Sequence, residues 1–320
     1  MRPVLLEFSL PFMKDPVVFP AYFTLLAIGF GLAMWITTRQ ARRTGMDDQR
    51  ILDTNLWMVF WGLVGARVLH VIADGHFQDY VHLCTDPILV PAIDAKVATC
   101  RAAAECGYDY LCDAATAKCY PPRDCFAVLW VWRGGLAYYG GFLFAVAFAI
   151  YYTRKHALGW WRTADLAAPA IALGLVFGRL GCFFNGCCYG KLTDGPLGVV
   201  FPRGGSAWRA QVDAHLITHG QAALPVHPTQ LYESLACLAI FLVLYFVVAR
   251  RGYVEGTVFA GLLIGYGVLR TWIEVYRDDE RGLWHGISTS QLISAPLIVA
   301  GVALLFALRR KKAEPPTAMS

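Results

Sequence analysis

The sequence predicts an all-α polytopic membrane protein of about seven transmembrane helices, with its N-terminus outside, its C-terminus cytoplasmic and a small Cys-rich extracytoplasmic insert. Three observations predict it. Of 320 residues, 57% are hydrophobic and 16% charged, against about 45–50% and about 25% in soluble domains. The apolar residues gather into runs near the roughly 20 residues needed to cross a bilayer core. Basic residues follow alternate runs.

Residues 1–16 lack the basic start, short apolar core and small-residue cleavage site of a secretory leader. The first run, 18–38, is therefore expected to be a retained helix. Six more follow at about 55–73, 126–152, 164–184, 230–249, 256–276 and 287–308. The third and fourth are glycine-rich and carry Arg133 and Arg179. Breaks or re-entrant turns are expected there, since a membrane tolerates them where protein or a water-filled cavity surrounds them. The expected division is 1–73 for two spans, 74–125 for the insert, 126–310 for the catalytic core and 311–320 for a disordered cytoplasmic tail.

Orientation follows from positive charge, which collects on the cytoplasmic side. Arg39, Arg42, Arg43 and Arg50 follow the first run, and Arg154, Lys155 and Arg162 the third. Arg250 and Arg251 follow the fifth; Arg309, Arg310, Lys311 and Lys312 follow the seventh. All lie on one side if each run crosses once. The net charge of +5 suits loops at an anionic lipid bilayer. No basic patch is interleaved with aromatics, so no nucleic acid partner is expected.

Cys84, Cys100, Cys106, Cys112, Cys119 and Cys125 lie between the second and third runs. Their even number and close spacing suit a disulfide-bonded insert in an oxidising compartment, with the pairing left open. A zinc site is the rival reading, weakened by the lack of a CxxC pair and of any interleaved histidine beyond His82. Cys182, Cys187, Cys188 and Cys237 sit in or near apolar runs. Buried free cysteine behaves as a small hydrophobe, and no metal or cofactor is expected.

Charges inside the runs mark function by default, because each costs about 2.5–3.5 kcal/mol on insertion scales. They are Arg67, Arg133, Arg179, Arg270 and Glu274. Structural ion pairs or snorkelling to the headgroups are the alternatives, above all for Arg67 and Arg133. Arg179 belongs to the run GRLGCFFNGCCYGK, 178–191, whose glycines permit close backbone approach to a ligand. Backbone amides beside a guanidinium can hold a phosphate; tight helix packing on small residues is the alternative. The run HPTQLYE, 227–233, places Gln230 and Glu233 near one helical face, with Thr229 a candidate cap. In RTWIEVYR, 270–277, Arg270 and Glu274 are one turn apart and Arg277 follows. Such a carboxylate either forms a structural pair or preorganises an arginine for phosphate. Finally, two Gly-Gly pairs bracket Tyr138 and Tyr139, whose phenols can donate a hydrogen bond or, strongly activated, accept a proton.

Together these blocks, with SQLISAPLIVAG near the end, resemble the prolipoprotein diacylglyceryl transferases, in family order and outside the Cys-rich insert. The resemblance implies a bacterial inner-membrane enzyme that moves the diacylglyceryl group of phosphatidylglycerol to the lipobox cysteine of a prolipoprotein signal peptide. It implies phosphate-binding roles for Arg179 and Arg270, supported by Glu274 and Arg277. Tyr22, Gly181, Asn185, Gly190, His227, Gln230 and Glu233 would shape the substrate site. Three positions depart from the family pattern: Tyr139 stands where histidine is usual, Cys182 where asparagine is, and Cys187 where glutamate is. The histidine is a candidate base in the family, so here Tyr139 or another group would take the proton. The cysteines keep a membrane thiol–disulfide oxidoreductase open as an alternative; an anion transporter and a family member with a different acceptor are others.

Overall fold

The computed structural model describes residues 4–8, 17–73, 75–90, 111–113, 118–129, 135–248, 254–277, 283–284 and 287–313. In chain order the elements are β1 (Val4–Phe8), β2 (Val17–Pro20), α1 (Ala21–Thr44), α2 (Asp48–Ala73), α3 (Phe77–Thr85), β3 (Leu111–Asp113) and β4 (Lys118–Tyr120). Then come α4 (Tyr138–Lys155), α5 (Trp160–Asn185), α6 (Ser206–Asp213), α7 (Thr229–Leu242), α8 (Thr257–Glu274), β5 (Leu283–Trp284), β6 (Ile287–Ser288) and α9 (Thr289–Ala313). The strands form three two-stranded antiparallel hairpins. Helices dominate, and each of the seven apolar runs contains one. Among the described residues, five spans are long and apolar enough to cross a membrane: Ala21–Thr44, Asp48–Ala73, Trp160–Asn185, Thr229–Val247 and Gln291–Arg310.

The chain divides into two compact units, Met1–Leu52 with Leu158–Ser320, and Asp53–Ala157. In the first, α5 is central and packs on α1, α7 and α8. Ile36, Ala168, Ala172, Leu173, Phe241, Leu244, Val258 and Leu262 form one core cluster. Val176, Cys237, Leu269 and Ile273 continue it toward the C-terminal end of α5. Asp165 orients α8: its carboxylate accepts the amides of Gly256 at 2.6 Å and Phe259 at 2.8 Å. Those amides lie at the start of a helix, where donors lack partners within it and the dipole favours negative charge.

Contrary to the expectation for the fourth run, α5 is one continuous helix with Pro169 inside it. Packing on three neighbours sustains it past its glycines and proline. It stops at Gly186, whose φ of 75° lets its amide turn back to the carbonyls of Cys182 and Phe183. The fifth run passes from α7 into a π-helical segment, Val243–Val248.

In the second unit α4 starts at Tyr138, where the third run began at 126, and Ala127–Leu129 is a short 3-10 turn. Arg67 accounts for the delay. Its buried guanidinium takes the carbonyls of Val128 at 2.8 Å, Ala127 at 2.7 Å and Gly135 at 3.0 Å, and stacks 5.0 Å from the Tyr80 ring centre. Carbonyls turned toward a side chain are lost to a helical ladder. Cys84 and Cys125 form a disulfide, and Cys112 on β3 and Cys119 on β4 each take part in a disulfide as well. Cys100, Cys106, Arg133 and the tail beyond Ala313 lie outside the described residues.

Candidate active site

The site is built at one end of α5, α7 and α8 in the first unit. Glu233 on α7 is its hub, fully buried. Arg179 on α5 reaches Glu233 Oε1 at 3.0 Å. Arg270 on α8 lies 3.6 Å from Glu233 Oε2, and Arg277, just past α8, lies 3.8 Å from the same oxygen. Arg270 also contacts Glu274 at 3.2 Å, one turn along α8. Three permanent cations meet two carboxylates, leaving an excess of one positive charge where water is scarce. The apolar layer beneath (Val176, Cys237, Leu269, Ile273, with Tyr232 and Tyr266 against it) isolates the cluster from bulk solvent and strengthens its field.

The segment after α5 is threaded beside this cluster by backbone pairing. Gly190 donates to His227 O at 2.9 Å, His227 to Lys191 O at 2.9 Å and Lys191 to Tyr276 O at 2.8 Å. Gly190 also bridges to Arg277. A side chain at Gly190 would stand 2.4 Å from Tyr276 O and 2.7 Å from Thr229 Cγ2, so the crossing admits glycine alone. Thr229 does not cap α7: the cap residue is Pro228, without a side-chain hydrogen bond. Instead Thr229 Oγ1 donates to Cys188 O at 2.9 Å, because its hydroxyl is drawn to the loop crossing above it. Gln230 Nε2 donates to Cys187 O at 2.7 Å, while its buried Oε1 has no hydrogen-bond partner among the described residues.

Tyr22, in the first turns of α1, abuts Gly181: a side chain there would come within 3.0 Å of the Tyr22 ring. The Cys187 thiol donates to Cys182 O at 3.8 Å, and the sulfur atoms of Cys182, Cys187 and Cys188 lie within 4.8 Å of one another. His227 Nδ1 lies 3.2 Å from the Tyr232 hydroxyl, and its ring stands edge-on to Tyr276.

Arg179, Arg270, Glu274, Arg277 and Glu233 thus converge, with Gln230, Gly190, His227, Tyr22 and Gly181 around them. Asn185 is exposed at the last position of α5. Tyr139 belongs to the second unit, exposed in the first turn of α4. Sequence reasoning missed that Glu233, rather than Glu274, joins all three arginines. The available signal was a carboxylate within an apolar helix, facing the same demand for a partner as the arginines.

The family described as "Prolipoprotein diacylglyceryl transferase" matches residues 12–96 and 104–307. The match extends into the Cys-rich insert, which the motif blocks had left out. Relatives include the phosphatidylglycerol–prolipoprotein diacylglyceryl transferase of Actinobacillus pleuropneumoniae serotype 3, 29% identical over 94% of this chain and 94% of its own. The protein of the same name from Proteus mirabilis is 29% identical over 96% and 94%. That from Vibrio vulnificus strain CMCP6 is 30% identical over 92% of each. With most of its length matched in this way, the chain belongs to the prolipoprotein diacylglyceryl transferase family.

Proposed function

We propose that this protein transfers the sn-1,2-diacylglyceryl group of phosphatidylglycerol to the lipobox cysteine thiol of prolipoproteins and releases glycerol phosphate. The observation that carries this reading is the meeting of Arg179, Arg270 and Arg277 at Glu233, within a bundle of apolar helices. An anionic headgroup is the complement of its excess positive charge. Relatives whose names state phosphatidylglycerol and prolipoprotein support the substrates.

In this mechanism the donor phosphate binds Arg179 and Arg270, whose guanidinium groups stay charged and contact oxygens two at a time. Glu233, Glu274 and Arg277 hold them in place. The acceptor thiol loses its proton, and the thiolate sulfur attacks the glycerol carbon bearing the phosphate. A C–S bond forms, the C–O bond breaks, and the electron pair leaves on the phosphate, where the arginines stabilise the developing charge. The proton goes to Tyr139, standing where family members carry histidine and acting as a phenolate, or to another base. Gly181 and Gly190 shape the site, and Tyr22, Asn185, His227 and Gln230 line the approach of substrate.

The same reading places the protein in the bacterial inner membrane with seven crossings, α4 and α8 completing the five long spans. The N-terminus is outside and the basic ends of α1, α4 and α9 are cytoplasmic. The Cys84–Cys125 disulfide supports an extracytoplasmic insert, since disulfides persist in oxidising compartments.

The test is phosphatidylglycerol labelled in its diacylated glycerol, incubated with a lipobox peptide and the purified protein. Label moves to the peptide thiol with the wild type and not with Arg179→Ala or Arg270→Ala. Full transfer by either folded variant, or no transfer by the wild type, defeats the reading. Serine at Cys182, Cys187 and Cys188 leaves transfer intact; dependence on these thiols would favour redox chemistry.

A further inference from the structure

We propose that Cys182, Cys187 and Cys188 form a three-thiolate site for a thiophilic divalent metal ion of the zinc type. The three sulfur atoms all lie within 4.8 Å of one another. Three thiolates around one zinc, each at about 2.3 Å, stand about 3.8 Å apart in a tetrahedral arrangement. The remaining difference is about 1 Å or less, within the range a side-chain rotation covers.

The backbone is built to bring these thiols together. Cys182 sits in the last turn of α5, and the helix ends at Gly186 so that the chain doubles back. The Cys187 amide returns to Cys182 O at 3.2 Å. The carbonyls of Cys187 and Cys188 are then pinned by Gln230 and Thr229. Cys188 is held at a φ of 62°, a left-handed conformation that costs a side-chain-bearing residue about 1–2 kcal/mol. Such a conformation persists where the surroundings over-determine it. Its consequence here is to fold the Cys188 thiol back onto the other two.

The charges agree. Zinc with three thiolates carries one negative charge, the complement of the single positive excess of the arginine–carboxylate cluster built on the same chain segments. Binding expels the three thiol protons to solvent. Three protein ligands leave a fourth position for water or an added ligand, the pattern of an open rather than a closed zinc site. The linear spacing, one cysteine followed after four intervening residues by an adjacent pair, contains no CxxC, which is why the sequence did not announce it. Cys237 is buried away from the group, and among the described free cysteines only these three converge.

This site lies beside the arginine–carboxylate cluster and uses none of its residues, and its test does not use transferase activity. The full-length protein, purified in detergent and stripped of metal with a chelator, is titrated with Co2+ and then Zn2+. The expected result is one Co2+ per chain with a thiolate-to-cobalt charge-transfer band, displaced by one equivalent of Zn2+. Cys182→Ser, Cys187→Ser and Cys188→Ser each weaken Zn2+ binding by about 100-fold or more, while Cys237→Ser leaves it unchanged. In the wild type, where no variant has to fold, Zn2+ shields three thiols from maleimide. No charge-transfer band, an undiminished band in Cys188→Ser, unshielded thiols, or two of the three recovered as a disulfide would each overturn the assignment.

Discussion

Glu233→Gln removes one negative charge from the point where three guanidinium groups meet, at nearly constant volume. The contacts span 3.0–3.8 Å. At an effective dielectric near 20, each is worth about 4–6 kcal/mol of attraction. Much of that offsets the cost of taking the ions out of water, and breaking one partner of a buried pair typically costs about 3–5 kcal/mol. The upper half of that range is expected here, because the carboxylate is fully buried and serves three partners. Glu274→Gln is the matched control. Its side chain is 13% exposed and, among the described residues, pairs with Arg270 alone, so its loss should cost about 1–2 kcal/mol. The assay is equilibrium unfolding in mixed dodecylmaltoside and SDS, followed by the fluorescence of the 10 tryptophans. Equal destabilisation by the two changes, or a Glu233→Gln cost below about 1 kcal/mol, would refute the view of Glu233 as the hub.

Gly190→Ala drives a methyl against Tyr276 O and should cost about 3 kcal/mol, while Gly174→Ala, which meets nothing within 4 Å, should be neutral or stabilise α5 by up to about 1 kcal/mol; unfolding in the same detergent mixtures checks both. Arg67→Lys keeps the charge but loses the fork that binds the carbonyls of Ala127, Val128 and Gly135, so faster hydrogen exchange across 127–137 is expected, with exchange in α8 unchanged. Replacing Cys84 and Cys125 together by alanine opens a closure spanning 41 residues and should cost about 2–4 kcal/mol, read as a lower unfolding midpoint that reductant reproduces in the wild type.

The helices were legible because their information is local. An apolar run near the length of a bilayer crossing has no other stable fate, and α1, α5 and α9 fall where such runs lie. The Arg270–Glu274 contact was legible for the same reason: one helical turn separates the two, so the helix alone brings them together. The start of α4 was not, because it depends on Arg67 claiming carbonyls about 60 residues further along the chain. Thr229 shows the converse. Its position beside a helix start suggested a cap, but a loop crossing offered its hydroxyl the Cys188 carbonyl instead.

The amino-acid sequence by itself determined that this chain is built of apolar helices suited to a membrane and where most of them run, since composition, run length and turn-spaced pairs need no knowledge of neighbours. Only the tertiary structure decided that Arg179 and Arg277 share Glu233 with Arg270, and that three cysteines meet beside them. Contacts between helices depend on crossing angle and on which glycines let backbones touch, and residue spacing along one strand of chain does not encode either.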